Sequence, residues 1–483
     1  PRVMPSNILL ILPEDTGLEL SCYGDPNVRT PHIDGLAADG CRFTRAYVTQ
    51  SVCSPGRASI LTGLYPHECG QIGLATHNYG LFGDLPNLPR LLKSAGYRTG
   101  MIGKLHINPE EDFPLDLWWN DREQISFQHR SAHRAAQEAE QFMAGGGPFF
   151  LTVNFPDAHL PLLPQYEGLP AKPQTGDEVE TFDFVGIDSA RLRQHTADYY
   201  NCMSRLDTSI GLILEALERQ GQAQDTLVIF TTDHGAQFSR GKGSIYEGGL
   251  RIPLIVRWPG NVPGGQVRDE LVSHIDVLSS VMEAVECHAP DTVAGASWWP
   301  LARGETVDWR EHLFAEWTSA GPLLYFPQRS VRDARYKLIM NPLQDRPHPG
   351  GWGYAGPKQR WETGATREEI ATASAQVQAA YETFDRSPPL EFYDLQEDPW
   401  EFVNLAEDPQ HAGRRDQLEA VLRQWQLDTD DAIADPDVLQ RLTAEHDEIR
   451  ARHYGDNPFG INRDFAWDYL DYLAPPGISR AAS

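Results

Sequence analysis

The densest chemistry in the chain sits in Cys53-Ser54-Pro55-Gly56-Arg57-Ala58-Ser59-Ile60-Leu61-Thr62-Gly63. Pro55 suits the first turn of a helix, where a missing N–H leaves no bond unmade. Cys53 then stands at a helix N-terminus, where backbone N–H groups and the helix dipole favour negative charge, and Arg57 adds a cation one turn on. Such a place holds an oxyanion. It would equally activate Cys53 as a low-pKa thiolate nucleophile, and its plainest reading is a helix start. Two further pairs follow apolar runs: Glu14-Asp15 after Asn7–Leu12, and Asp233-His234 after Leu227–Thr232. Open α/β sheets bind ligands at the carboxyl ends of their strands. Adjacent carboxylates repel one another in an empty site, and a divalent cation between the two strand ends removes that cost. Alone, Glu14-Asp15 reads as a loop pair; together with Cys53, Asp233 and His234 it reads as a metal site. The His234 nitrogen is a softer ligand than oxygen and suits manganese or zinc better than calcium.

Residues so far apart in sequence converge only if several strands end at one edge. Through the first 300 or so residues, short apolar runs (Asn7–Leu12, Thr99–Ile102, Phe149–Phe155, Thr226–Thr231, Pro253–Val256) alternate with amphipathic stretches such as Ala132–Met143 and Ala197–Arg219. That alternation predicts an α/β domain over residues 1–305 with a large, mostly parallel sheet flanked by helices. Strand patterns at Glu311–Trp317, Arg329–Met340 and Glu391–Leu395, then an amphipathic helix around Arg414–Asp428, predict a smaller α+β domain over 306–452 with an antiparallel sheet. Pro342–Arg360, rich in Pro and Gly, predicts a long loop over the site. The tail, 453–483, carries Tyr454, Phe459, Phe465, Trp467, Tyr469 and Tyr472; it either wraps its own subunit or docks on a neighbour in a homo-oligomer, a dimer or tetramer.

With 483 residues, 41% of them hydrophobic and 23% charged, the chain can bury a large core. Its 41 Lys and Arg against 68 Asp and Glu give a net charge of −27, which opposes binding to nucleic acid or anionic membrane. The run Ile8–Leu12 is too short to span a bilayer. The six cysteines form no C-x-x-C pair and read as buried thiols apart from Cys53. The sequence shows no signal peptide, and the expected compartment is cytoplasmic ahead of periplasmic.

The motif C-x-P-x-R followed by A-S-x-L-T-G resembles the signature of the sulfatases. Thr30-Pro31-His32-Ile33-Asp34, Tyr246-Glu247-Gly248-Gly249 and Glu391-Phe392-Tyr393-Asp394-Leu395 resemble other segments of that family, and Gly70-Gln71-Ile72-Gly73-Leu74 and Tyr325-Phe326-Pro327-Gln328-Arg329 are similar to its N-sulfoglucosamine sulfohydrolase branch. The resemblance implies an alkaline-phosphatase-like fold and hydrolysis of sulfate monoesters, aryl sulfates among them, or of sulfamates. It implies that a formylglycine-generating enzyme converts Cys53 to formylglycine, whose hydrate attacks sulfur with one hydroxyl and expels sulfate with the other. One divalent metal is implied, calcium first and manganese second. Gly103-Lys104-Leu105-His106 is similar to the family's G-K-x-H, with Lys104 on the sulfate and His106 on a formylglycine hydroxyl. By the same resemblance His159 faces the leaving-group oxygen and Lys242 contacts sulfate and nucleophile; Arg57, Lys104, Lys242 and the metal then supply the local positive field, and His159 is the candidate general acid. The substrate so implied is a small sulfated molecule or sulfated sugar, with His77, Tyr325 and Arg329 the loop residues expected to contact it. Three departures stand out. Glu14 replaces the usual Asp and keeps a carboxylate at longer reach. Gly56 replaces the usual Ser or Thr, and Asp233-His234 replaces the usual Asp-Asn, which resembles phosphonate monoester hydrolases of the same superfamily and makes phosphonate or phosphodiester hydrolysis the alternative.

Overall fold

The computed structural model describes residues 6–119, 130–350, 362–455 and 460–475. Asn7–Ile11 (β1) is apolar and buried along its length, as a strand covered on both faces must be. Its side chains alternate between two cores: Leu9 and Ile11 enter one hydrophobic cluster, Ile8 and Leu10 the other. Eight more strands complete the sheet: β2 (Cys41–Tyr47), β3 (Arg98–Ile102), β4 (Leu117–Trp119), β5 (Phe149–Val153), β6 (Thr226–Thr231), β7 (Arg251–Arg257), β8 (Gln266–Arg268) and β9 (Val272–Ser273). Their order is β4-β3-β5-β1-β6-β7-β2-β8, with β9 also on β2. The sheet is mostly parallel, as the alternating pattern predicts. The exception is β7, the strand around Pro253–Val256, which runs against both β6 and β2.

Ala132–Met143 and Ala190–Arg219 cover one face, and Cys53–Thr62 and Asp276–Ala284 cover the other. The long helix begins at Ala190 rather than Ala197, because the Ser189 side chain accepts the Leu192 N–H and caps it there. No helix among the described residues is long and apolar enough to cross a membrane.

A second, antiparallel sheet has the order β10 (Leu313–Trp317), β11 (Gln328–Arg332), β12 (Tyr336–Met340), β13 (Leu390–Asp394). Arg329–Met340, continuous by pattern, is a hairpin instead: Asp333 accepts the N–H groups of Arg335 and Tyr336 and turns the chain. Helices Ala412–Asp428 and Pro436–Ile449 follow. Trp467, Tyr469 and Leu470 of the tail are buried with Ile72, Tyr79 and Tyr325, so the described tail wraps its own subunit. Phe459 and residues 351–360 of the expected long loop lie outside the described residues. The described start of that loop packs inward, with His348 buried against Phe326 and Phe384.

Candidate active site

Strands β3, β5, β1 and β6 are consecutive and parallel, so their carboxyl ends share one edge. Each delivers site residues there: Lys104 and His106 after β3, His159 after β5, Glu14 and Asp15 after β1, and Asp233, His234 and Lys242 after β6. Two antiparallel steps, β6 to β7 and β7 to β2, bring the end of β2 to the same edge, and the helix Cys53–Thr62 starts from it.

Local contacts hold these ends. Asn154 accepts the Lys104 N–H at 3.1 Å and donates to the Leu12 carbonyl at 2.9 Å, tying three neighbouring strand ends together. Asp15 is left-handed, φ 53°, and Tyr199 braces it by donating to its carbonyl at 2.9 Å while accepting the Gly17 N–H at 2.9 Å. Asp157 is buried between Arg130 and Arg205, and Arg130 also donates to the His159 carbonyl at 2.6 Å. Gly56 lets the Cys53 helix touch the β6 end: a Cβ there would lie 2.4 Å from the Asp233 carbonyl oxygen.

Cys53 Sγ lies 3.4 Å from His234 Nε2. The other ring nitrogen, Nδ1, is 2.9 Å from the Gly235 carbonyl, so it carries the proton and Nε2 turns a lone pair to the site. Ligand atoms of Asp15, Cys53, Asp233 and His234 lie within 4.8 Å of one another, as do those of Glu14, Asp15, Cys53 and His159. Arg57 Nε donates to Asp233 at 3.1 Å, Lys104 Nζ to Glu14 at 2.7 Å, and Lys242 Nζ to both oxygens of Asp15 at 2.9 Å.

Glu14, Asp15 and Asp233 are thus balanced by Arg57, Lys104 and Lys242, and buried charges demand such pairing. Burial, reinforced by Cys53 and Asp233, pushes Asp15 up to about 7 against the pull of Lys242. Asp233 goes the other way, because His234, Arg57, Lys104 and Lys242 outweigh its burial. The donor set fits a divalent cation: buried carboxylates converge with one imidazole nitrogen, and Glu14 Oε1 has no hydrogen-bond partner among the described residues. Burial and the nearby lysines hold His106 and His159 well below the usual imidazole range. His159 Nδ1 is 2.7 Å from the Leu160 carbonyl, which leaves Nε2 an acceptor in the resting site.

A cavity of about 170 Å³ opens over Cys53, with Lys104, His106, His159 and Lys242 on its polar side and Leu74, Leu324 and Ile461 on its apolar side. Of the three loop residues expected to contact substrate, only His77 lines it. Tyr325 stacks on His446 and bonds Thr443, and Arg329 forms a buried pair with Asp431, so both are structural here. Gln237 and Ile461 also line the cavity. Gln237 could have been found from its place five residues before Lys242, whereas nothing local marks Ile461.

The family model for sulfatases matches residues 6–287, more than half of the chain. The protein belongs to the sulfatase family. A second model, for the C-terminal region of N-sulphoglucosamine sulphohydrolase, matches residues 236–345. Human N-sulphoglucosamine sulphohydrolase is 30% identical over 89% of this chain and 91% of its own length. Human arylsulfatase A is 32% identical over 64% of this chain and 70% of its own. A structure solved with its substrate D-glucosamine-2-N,6-O-disulfate shares the fold at a TM-score of 0.66, with 19% identity over 89% of this chain and 99% of that one. The phosphonate monoester hydrolase of Agrobacterium radiobacter shares it at 0.64, with 20% identity over 88% and 96%. This sulfatase is a sulfuric ester hydrolase of the alkaline-phosphatase-like fold, and its polar cavity floor lies where the family motifs converge.

Proposed function

We propose that the enzyme cleaves sulfate monoesters or sulfamates of small sulfated molecules, amino sugars foremost, through a formylglycine made from Cys53 and with one divalent cation. The observation that carries this is the placement of Cys53 Sγ, at a helix N-terminus, 3.4 Å from His234 Nε2 and on the floor of a cavity shared with Lys104 and Lys242. Glu14, Asp15, Asp233 and His234 would hold the cation, which when bound polarises the sulfate oxygens. Calcium suits the carboxylates, and manganese suits the His234 nitrogen. The converted side chain would supply a geminal diol, one hydroxyl able to form the O–S bond as the bond from sulfur to the leaving group breaks, the other able to give up its proton so that the aldehyde re-forms and the C–O bond to sulfate breaks.

Around that exchange the chain's own residues bind and move protons. Lys104 and Lys242 hold the sulfate oxygens and concentrate positive charge where negative charge grows. Arg57 pins Asp233 against the helix that carries Cys53. The His159 imidazole gives its proton to the departing oxygen or nitrogen once the bound anion has raised its pKa. His106, whose two ring nitrogens have no hydrogen-bond partner among the described residues, takes the proton of the second hydroxyl during release.

The test is a comparison of kcat/KM for an aryl sulfate, an aryl phosphonate monoester and N-sulfoglucosamine, with mass analysis of the Cys53 peptide. Preference for a sulfur compound and an aldehyde at position 53 support the reading. An unmodified thiol in active enzyme overturns the formylglycine route. Preference for the phosphonate establishes the second reading, which His234 in the cation site favours.

A further inference from the structure

Residue 53 is encoded as cysteine, and its thiol stands among metal ligands before any conversion takes place. Cys53 Sγ is 3.4 Å from His234 Nε2, and that nitrogen is 3.4 Å from Asp15 Oδ1 and 3.6 Å from Asp233 Oδ1. Ligand atoms of the four residues lie within 4.8 Å of one another, and all four residues are buried. Around one tetrahedral ion, with bonds of about 2.0–2.1 Å to nitrogen or oxygen and about 2.3 Å to sulfur, neighbouring ligand atoms stand about 3.3–3.6 Å apart. The three contacts of His234 have that spacing.

The surroundings leave the right atoms available. His234 Nδ1, 2.9 Å from the Gly235 carbonyl, carries the ring proton, so Nε2 offers its lone pair. Arg57 Nε donates to Asp233 Oδ2 at 3.1 Å, while Oδ1 accepts the Asp15 N–H at 3.1 Å and faces His234. Lys242 holds both Asp15 oxygens at 2.9 Å, and each carboxylate oxygen keeps a further lone pair. Which ion such a site takes then depends on its donors. Thiolate and imidazole beside two carboxylates make a four-ligand zinc set, whereas calcium takes about six to eight oxygens and has no use for sulfur. Converting Cys53 replaces that sulfur with oxygen, so one side-chain change alters the hardness of the whole set.

Resting on the formylglycine reading above for the contrast between the two forms, we infer that residue 53 selects the metal: the unconverted chain holds zinc through Asp15, Cys53, Asp233 and His234, and the converted chain holds an oxygen-seeking cation. When zinc enters, the Sγ–H bond breaks, an Sγ–Zn bond forms and the proton leaves to solvent; nothing is oxidised or reduced. The sulfur is then tied up, so the unconverted fraction is a silent zinc form and zinc content reports incomplete maturation.

The test uses the full chain made without a converting enzyme, with the thiol at position 53 verified by mass, beside converted chain. Metal-free unconverted protein titrated with Co²⁺ is expected to develop a thiolate-to-cobalt charge-transfer band that saturates at one equivalent and is bleached by Zn²⁺ but not by Ca²⁺. Zn²⁺ at ten times its Kd is expected to slow iodoacetamide alkylation of Cys53, read by peptide mass, by about tenfold. Neither measurement needs a variant. Cys53→Ser is expected to lose the band and to bind Zn²⁺ about 100-fold or more weakly, since losing even a ligand's hydrogen-bond partner costs about 10–100-fold. An absent band, a band that persists in Cys53→Ser, or equal Zn²⁺ affinity in that variant and wild type overturns the zinc site. Converted chain that binds Zn²⁺ as tightly as unconverted chain overturns the selection by residue 53. Converted chain that hydrolyses no sulfate refutes the sulfatase chemistry, while a cobalt band in the thiol form leaves the zinc site standing.

Discussion

Arg329→Ala separates a structural clamp from a substrate contact. Arg329 is 1% exposed, and its Nε and Nη2 each donate to Asp431 at 2.8 Å, a bidentate pair between β11 and the chain just after the helix Ala412–Asp428. Asp431 also accepts from Gln426 at 2.9 Å, and Glu316 lies 3.9 Å from the guanidinium. Deleting the guanidinium leaves the Asp431 and Glu316 carboxylates buried beside His67, with Gln426 the remaining side-chain donor to Asp431 among the described residues. Removing one partner of a buried pair costs about 3–5 kcal/mol. With a urea slope of roughly 3 kcal/mol/M or more for a chain of this size, the unfolding midpoint falls by about 1 M.

The pH dependence carries the sign. Burial pushes Asp431 up, but Arg329 and His67 pull it below the usual carboxylate range. In wild type the pair's contribution is therefore complete above the unfolded carboxylate value of about 4 and is lost as pH falls through the lower folded value. In the variant, burial without Arg329 raises the Asp431 pKa, the folded state takes up a proton, and the stability gap to wild type narrows as pH falls from 7 toward 5. The assay is urea unfolding by far-UV circular dichroism across that range, with KM for an aryl sulfate measured alongside. A midpoint equal to wild type together with a tenfold rise in KM refutes this account and returns Arg329 to the substrate.

Cys53→Ala removes a small, buried side chain; turnover is abolished while the urea midpoint stays near wild type, and near-normal rates would rule Cys53 out as the nucleophile's source. Gly56→Ala drives a methyl group to within 2.4 Å of the Asp233 carbonyl, so the helix must shift; a cost of about 1–3 kcal/mol in urea unfolding is expected, with slower turnover, and a wild-type midpoint and rate would show that this close approach is unimportant. Asp233→Asn keeps a hydrogen-bond acceptor for Arg57 but removes a charge from the cation site, so metal content by elemental analysis falls together with activity; stoichiometric metal in that variant would mean the ligand set is wrong.

Much of the site was legible in the chain because its signals are local. A proline in a first helical turn marks Cys53 as a helix start, and an apolar run ending in carboxylates marks Glu14-Asp15 and Asp233-His234 as strand ends. Parallel strands then bring such ends to one edge whatever the details of packing, so alternating patterns carry both the sheet and the cluster. Where the sequence misled, the reason is also physical. Arg329–Met340 looks continuous because Asp333 makes its turn with a side-chain bond that hydropathy does not register, and the Ala190 helix start depends on a Ser189 cap ahead of the amphipathic run.

The sequence by itself determined the family signature, the place of Cys53 at a helix start and the sheet that gathers the charges, since each depends on residues within one or two turns or strands of a motif. Only the tertiary structure decided that Arg329 belongs to Asp431, that His159 shares one cavity with Lys104 and Lys242, and that Ile461 lines that cavity together with Cys53. Those outcomes rest on contacts between segments hundreds of residues apart, and such contacts are chosen by shape and buried charge, which no local pattern encodes.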